Sequence, residues 1–117
     1  MDFETLRAYL LKKPKSAENF PFGDDVHVFK VHEKMFALIS WRDNKMMMNL
    51  KCDPDEAHAL RDIFPAITPA YHMNKRHWIS VYFDGTVPYG ELERLMDNSY
   101  SLVIKTLPKY KRILLTD

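Results

Sequence analysis

Apolar residues recur at helical spacing over Asp2 to Lys13, where Leu6, Tyr9, Leu10 and Lys13 fall on one stripe. Asp2 is placed to cap this helix and Pro14 to end it. Pro21, Gly23, Asp24 and Asp25 then give a turn-rich loop. The period changes to two in Val26 to Val31, Lys34 to Trp41 and Lys45 to Cys52, which read as three strands. Their links, His32-Glu33 and Arg42-Asp43-Asn44, are short enough to force an antiparallel meander. Asp53-Pro54-Asp55-Glu56 is a helix start, with Asp53 as cap, Pro54 at the first helical position and Glu56 at the capping-box position; this helix is expected to run to about Ile63. Pro65 and Pro69 interrupt the chain before an extended piece around Ala70 to Met73. Asn74-Lys75-Arg76 leads from there into a strand over His77 to Asp84, closed by Gly85. Pro88 opens a long helix carrying Leu92, Leu95, Met96, Tyr100 and Val103, and Pro108 closes it. The tail from Lys109 to Asp117 either packs through Ile113, Leu114 and Leu115 or frays.

This order, α-β3-α-β2-α, predicts a single α+β domain over residues 1–117, a two-layer sandwich with an antiparallel sheet and its helices on one face. Alternation assigns the faces. Ile79, Val81 and Phe83 point one way, and Trp78, Ser80, Tyr82 and Asp84 the other. Met46, Met48, Leu50 and Cys52 share a face opposite Lys45, Met47, Asn49 and Lys51. The first set of each pair is expected to meet the helices and the second to see solvent or a partner. The side taken by Trp41 depends on strand register.

Composition narrows the classes. Hydrophobic residues make up 46% of 117, enough for one core and against global disorder. A formal net charge of +1 confines any affinity for a polyanion to a local patch. The seven methionines, three of them consecutive at Met46 to Met48, offer adaptable contact surface. Cys52 is the one cysteine, so no internal disulfide forms, which fits a reducing compartment. The first residues lack the basic flank of a signal peptide, and no stretch reaches transmembrane length, so the expectation is a cytoplasmic protein with no membrane partner.

The segment Tyr71-His72-Met73-Asn74-Lys75-Arg76-His77-Trp78, running to Asp84-Gly85, resembles the MmcQ/YjbR family of small bacterial proteins. Phe20-Pro21-Phe22-Gly23, Val28-Phe29-Lys30-Val31, Lys34-Met35-Phe36-Ala37, Asp97, Ser99, Tyr100 and Leu107-Pro108 extend the match over nearly the whole chain, with Phe83 standing where an aliphatic residue is more usual. The resemblance implies a fold of the type III secretion chaperone or frataxin-like kind. It also implies DNA binding, a label the family carries on structural analogy.

The residues themselves offer several chemistries. Lys75, Arg76 and His77 beside His72, Trp78 and Tyr82 combine phosphate-neutralising cations with rings able to stack on bases. Lys109, Lys111 and Arg112, with Lys105, form an acid-free basic run, and Lys12, Lys13 and Lys15 another. The plainer reading is that these lysines solvate a surface and that Trp78 and Tyr82 pack beneath a loop or a partner. A nucleophilic triad of Ser80, His77 and Asp84 fails on geometry. His77 and Ser80 leave opposite faces of one strand, and Ser80 and Asp84 lie ~13 Å apart along it. The five histidines are scattered and none pairs with Cys52 at a zinc-finger spacing, so no metal or other cofactor is expected. The expectation is therefore a non-enzymatic binding protein with DNA as its partner. The rival is a protein-binding or homodimeric adaptor using the same aromatic face through Trp78, Tyr82, Met47 and Trp41.

Overall fold

The computed structural model describes residues 2–70 and 73–114. Helix α1 (Phe3–Leu11) is capped by Asp2, whose carboxylate accepts from the Thr5 N–H at 2.8 Å. Four strands follow: β1 (Ser16–Asn19), β2 (His27–Val31), β3 (Lys34–Arg42) and β4 (Lys45–Lys51). Helix α2 (Pro54–Ile63) leads to β5 (Ile67–Pro69) and β6 (Trp78–Tyr82), then to α3 (Tyr89–Ile104) and a short α4 (Lys109–Ile113). The strands form one six-stranded antiparallel sheet in the order β1-β2-β3-β4-β6-β5, with the helices on one side. The two-layer α+β sandwich read from the sequence is the observed architecture. Among the described residues no helix is long and apolar enough to cross a membrane.

Local chemistry explains most boundaries. Both β2–β3 and β3–β4 turn through two residues with positive φ, His32 and Glu33 (46° and 68°) and Asp43 and Asn44 (52° and 65°). That is the twist-matched geometry of tight hairpins, and aspartate and asparagine tolerate it better than histidine and glutamate do. Asp53 caps α2 through the Asp55 and Glu56 N–H groups as expected. Glu56 does not close a capping box in return; its carboxylate turns to Arg94 (3.0 Å) and Asn98 (3.3 Å) and ties α2 to α3.

Two strand assignments differ from the sequence reading. β1 is an additional strand, and the piece expected around Ala70 to Met73 is found earlier, at Ile67–Pro69. Ala70 and Met73 are outside strands, while Tyr71 and His72 lie outside the described residues. Pro69 falls on the last residue of an edge strand, where its missing N–H removes nothing from the interior ladder.

The core lies between sheet and helices. Phe29, Val31, Ile39, Met48, Leu50, Ile79 and Val81 project from the sheet to meet Leu6 and Leu10 of α1, Leu60 of α2 and Leu95 and Met96 of α3. A bulge opposite Phe29 and Lys30 inserts Phe36 into β3, so Phe36 and Ala37 both face the core, and Phe36 meets the Tyr100 ring edge-on at 5.1 Å. Ser99, fully buried on α3, stitches the layers: its hydroxyl donates to the Phe36 carbonyl and accepts from the Lys51 N–H at 2.8 Å. Asp97 accepts from the Tyr9 hydroxyl at 2.8 Å and pairs with Lys13, whose ammonium lies 4.9 Å from the Tyr9 ring centre. Burial, then Asp97, pushes the Tyr9 phenol up to about 12.

β1 is fastened by Glu18. Its carboxylate accepts from Arg7 Nε (2.8 Å) and pairs with His27 Nδ1 (2.7 Å), and the His27 ring lies within 6 Å of the rings of Phe3, Phe20 and Trp41. Burial alone would raise the Glu18 pKa; hydrogen bonds from Arg7 and His27 outweigh it and hold the carboxyl below its usual range. Since the folded pKa lies below the unfolded one, the stabilisation is complete above the unfolded value of about 4.3 and disappears as pH falls through the lower folded value. Thermal melts of Glu18→Gln and wild type are therefore expected to differ at neutral pH and to converge in acid. A gap that stays constant across this range would show that the charge of Glu18 does not stabilise the fold.

Candidate binding face on the open side of the sheet

Strand register decides which side chains share the face away from the helices. Asn49 stands opposite Leu38 and Ser80, Met47 opposite Ser40 and Tyr82, and Lys51 opposite Trp78. Lys30 stands opposite Met35 on this same face, and Arg42 opposite Lys45. The strand positions of the open face thus carry Lys30, Arg42, Lys45 and Lys51. Among the described residues Glu18 is the sole acid within a strand; it lies opposite Phe29 and points to the helix side. A chain with a net charge of +1 therefore shows a cationic sheet face. Asp84, just beyond β6, lies near Lys45, and hydrogen bonds from Thr86 hold its carboxyl below the usual range.

The turn before β6 adds to this charge. The Asn74 carbonyl accepts from the N–H groups of His77 (3.1 Å) and Trp78 (2.9 Å), and the Asn74 side chain accepts from the Arg76 N–H (3.0 Å). The His77 carbonyl accepts from Cys52 N–H at 2.8 Å, which anchors the turn to the end of β4. Lys75, Arg76 and His77 are left exposed on a defined backbone, with Trp78 and Tyr82 half-buried in the adjoining strand. Gly85 closes the far end of β6 at φ 86°, a conformation costly for other residues.

The other expected site residues are dispersed. His72 lies outside the described residues. Lys109, Lys111 and Arg112 sit on α4, a five-residue helix with no buried residue, more than 25 positions beyond the Trp78 strand in sequence. Trp41 follows Ala37 and Ile39 onto the helix side, where its ring meets Phe3 at 5.3 Å, so among the described residues the aromatics at open-face strand positions are Trp78 and Tyr82. Ser80 is 2% exposed and accepts from Asn49 Nδ2 at 2.8 Å. Burial, with Glu56 and Asp53 nearby, pushes the Cys52 thiol up to about 11, so it is neutral at physiological pH. Among the described residues no three metal-ligating side chains gather into a site.

The open face also has relief. Loop residues Phe22 and Val26 rise on one side and Met73 on the other, leaving a groove of about 600 Å³ across β3 and β4. Leu38, Ser40, Met47 and Asn49 line it, and Trp41 and Arg42 border the end at the β3–β4 turn. Asn49 is 6% exposed, and its amide nitrogen donates to the Ile79 carbonyl and to Ser80. Sequence alternation places Lys45, Met47, Asn49 and Lys51 together. Lys30, Arg42 and the groove emerge only from register and loop placement.

The sequence profile of the YjbR family matches residues 11–102. The chain is 39% identical to the uncharacterised protein YbdF of Escherichia coli O157:H7 over 106 residues, 91% of this chain and 87% of that one. It is 32% identical to the uncharacterised protein YjbR of Escherichia coli K12 over 98% of both. A crystal structure of a Deinococcus radiodurans protein with a DUF419 domain superposes with a TM-score of 0.89 at 40% identity, covering 96% of this chain and 86% of that one. A Pseudomonas syringae protein gives 0.76 at 29% identity, over 87% and 98%.

Proposed function

The chain belongs to the YjbR family, and from that premise we propose that it is a non-enzymatic binding protein that takes a single strand of nucleic acid on its open sheet face. The observation that supports this is the segregation of charge: four cations and no carboxylate at the open-face strand positions, flanked by Lys75 and Arg76. Cations spaced along a sheet neutralise successive phosphates, and rings standing on the sheet stack on unpaired bases. Lys51, Lys75 and Arg76 hold backbone phosphates, and Trp78 and Tyr82 take bases. A duplex hides its base faces, so single strands are the better match.

Titration of end-labelled single-stranded and duplex oligonucleotides with the protein, read by fluorescence anisotropy at low salt, tests this. Single strands bind more tightly, and Trp78→Ala weakens them about 5- to 150-fold, from base–aromatic stacking of ~1–3 kcal/mol. Absence of binding by either nucleic acid at low salt overturns the reading. The rival use of the face, as a protein or homodimer contact, draws on the methionines and exposed Phe22 of the groove. It requires an association that salt leaves intact and that Trp78→Ala abolishes in sizing chromatography.

A further inference from the structure

We infer that α4 is a docking element for the anionic surface of a lipid bilayer, lying along the headgroups with its apolar side inward. This stands independently of the nucleic-acid reading. Leu107, 4% exposed, pins the chain to the core after α3, and the Pro108 carbonyl then accepts from the N–H groups of Lys111 (3.0 Å) and Arg112 (3.1 Å) to start a new turn. No residue of α4 is buried, and Leu114, its C-cap, keeps helical backbone angles. At 3.6 residues per turn, Tyr110, Ile113 and Leu114 fall within about 100° of the helix circumference. Their exposures lie between 59% and 66%. Lys109 and Lys111 border this stripe on either side, and Arg112 stands opposite it. Residues 105–114 hold four cations and no carboxylate. Lys34 reaches the same end, its ammonium donating to the Thr106 hydroxyl at 3.2 Å, so even with Glu33 beside it in the turn this end stays cationic. The charge selects a negative partner, and the apolar stripe selects among negative partners. A nucleic acid or a soluble anion leaves Ile113 and Leu114 in water. An anionic bilayer takes the cations at its phosphates and the apolar side chains just below them. Tyrosine, with an apolar ring and a polar tip, suits that boundary. The contact is peripheral and needs no membrane-crossing segment.

Flotation of the full chain with vesicles tests this, using phosphatidylcholine alone and phosphatidylcholine mixed with phosphatidylglycerol. The protein is expected to float with the mixed vesicles and not with the neutral ones. Lys109→Gln/Lys111→Gln is expected to weaken that association about 30-fold, from about fivefold for each cation near an anionic surface. Ile113→Ser/Leu114→Ser, which changes only exposed side chains, is expected to abolish it and leave the melting temperature unchanged. In a Tyr110→Trp variant, lipid brominated along its acyl chain is expected to quench more emission than in the wild type. Lys75→Ala/Arg76→Ala, in the turn before β6, leaves flotation intact. Equal flotation with both lipids, flotation with neither, or flotation lost in Lys75→Ala/Arg76→Ala but kept by the α4 variants overturns the proposal. Oligonucleotide binding that the α4 variants abolish, with no flotation, overturns it as well. If the serine pair melts early, the glutamine pair still decides it.

Discussion

Replacing Ser99 by alanine is expected to lower the melting temperature by ~10–20 °C. The hydroxyl serves two backbone groups from different strands, the Phe36 carbonyl and the Lys51 N–H, across the helix–sheet interface. Neither is recovered when it is removed. The residue is fully buried, so water has no direct route to replace it. Leaving a buried polar group unpaired costs about 1–3 kcal/mol, and two of them, one only half-buried, about 2–4 kcal/mol. For a domain of this size each kcal/mol is ~3–6 °C. Ser101→Ala, two residues along the same helix on its exposed side, is the matched control and is expected to move the transition by less than ~0.5 kcal/mol. Equal melting temperatures for the two variants would mean that the Ser99 bridge contributes nothing.

The second large effect is on binding. If a single strand lies across the open face and about four phosphates are neutralised, the logarithm of the affinity falls with log salt at a slope of ~−3, so a fourfold rise in salt weakens binding ~50-fold. The double variant Lys75→Ala/Arg76→Ala removes two of those contacts and flattens the slope by ~1.4 as well as weakening binding at low salt. Lys109→Ala/Lys111→Ala, on α4 and outside the sheet, leaves the slope unchanged. A slope near zero, or one altered only by the α4 pair, rules out the sheet face as the phosphate contact.

What the sequence disclosed follows from how local each signal is. Asp53-Pro54 marks a helix start through its own side chain and ring, and α2 begins at Pro54. The meander of β2, β3 and β4 is legible because two-residue links leave no other connection. β1 is not legible. Ser16-Ala17-Glu18-Asn19 lacks β-branched residues, and it is a strand because the free edge of β2 pairs with it and Arg7 and His27 hold Glu18. The same distinction separates the parts of the site. The cations and rings of Lys75 to Tyr82 are adjacent in sequence and were visible as a unit. Lys30 and Arg42 join that surface through register, and the bulge at Phe36 determines the side of β3 on which each residue falls. The groove depends on Phe22 and Met73, which are 51 positions apart and border it from opposite sides.

A sheet face with apolar relief invites self-assembly, and Pro69 bears on this. At the β5 rim the ladder is three residues long and ends on a residue with no hydrogen to donate. A neighbouring molecule aligning there finds too few backbone partners to extend the sheet from one copy into the next. The β5 rim thus offers little for sheet growth from one copy into the next.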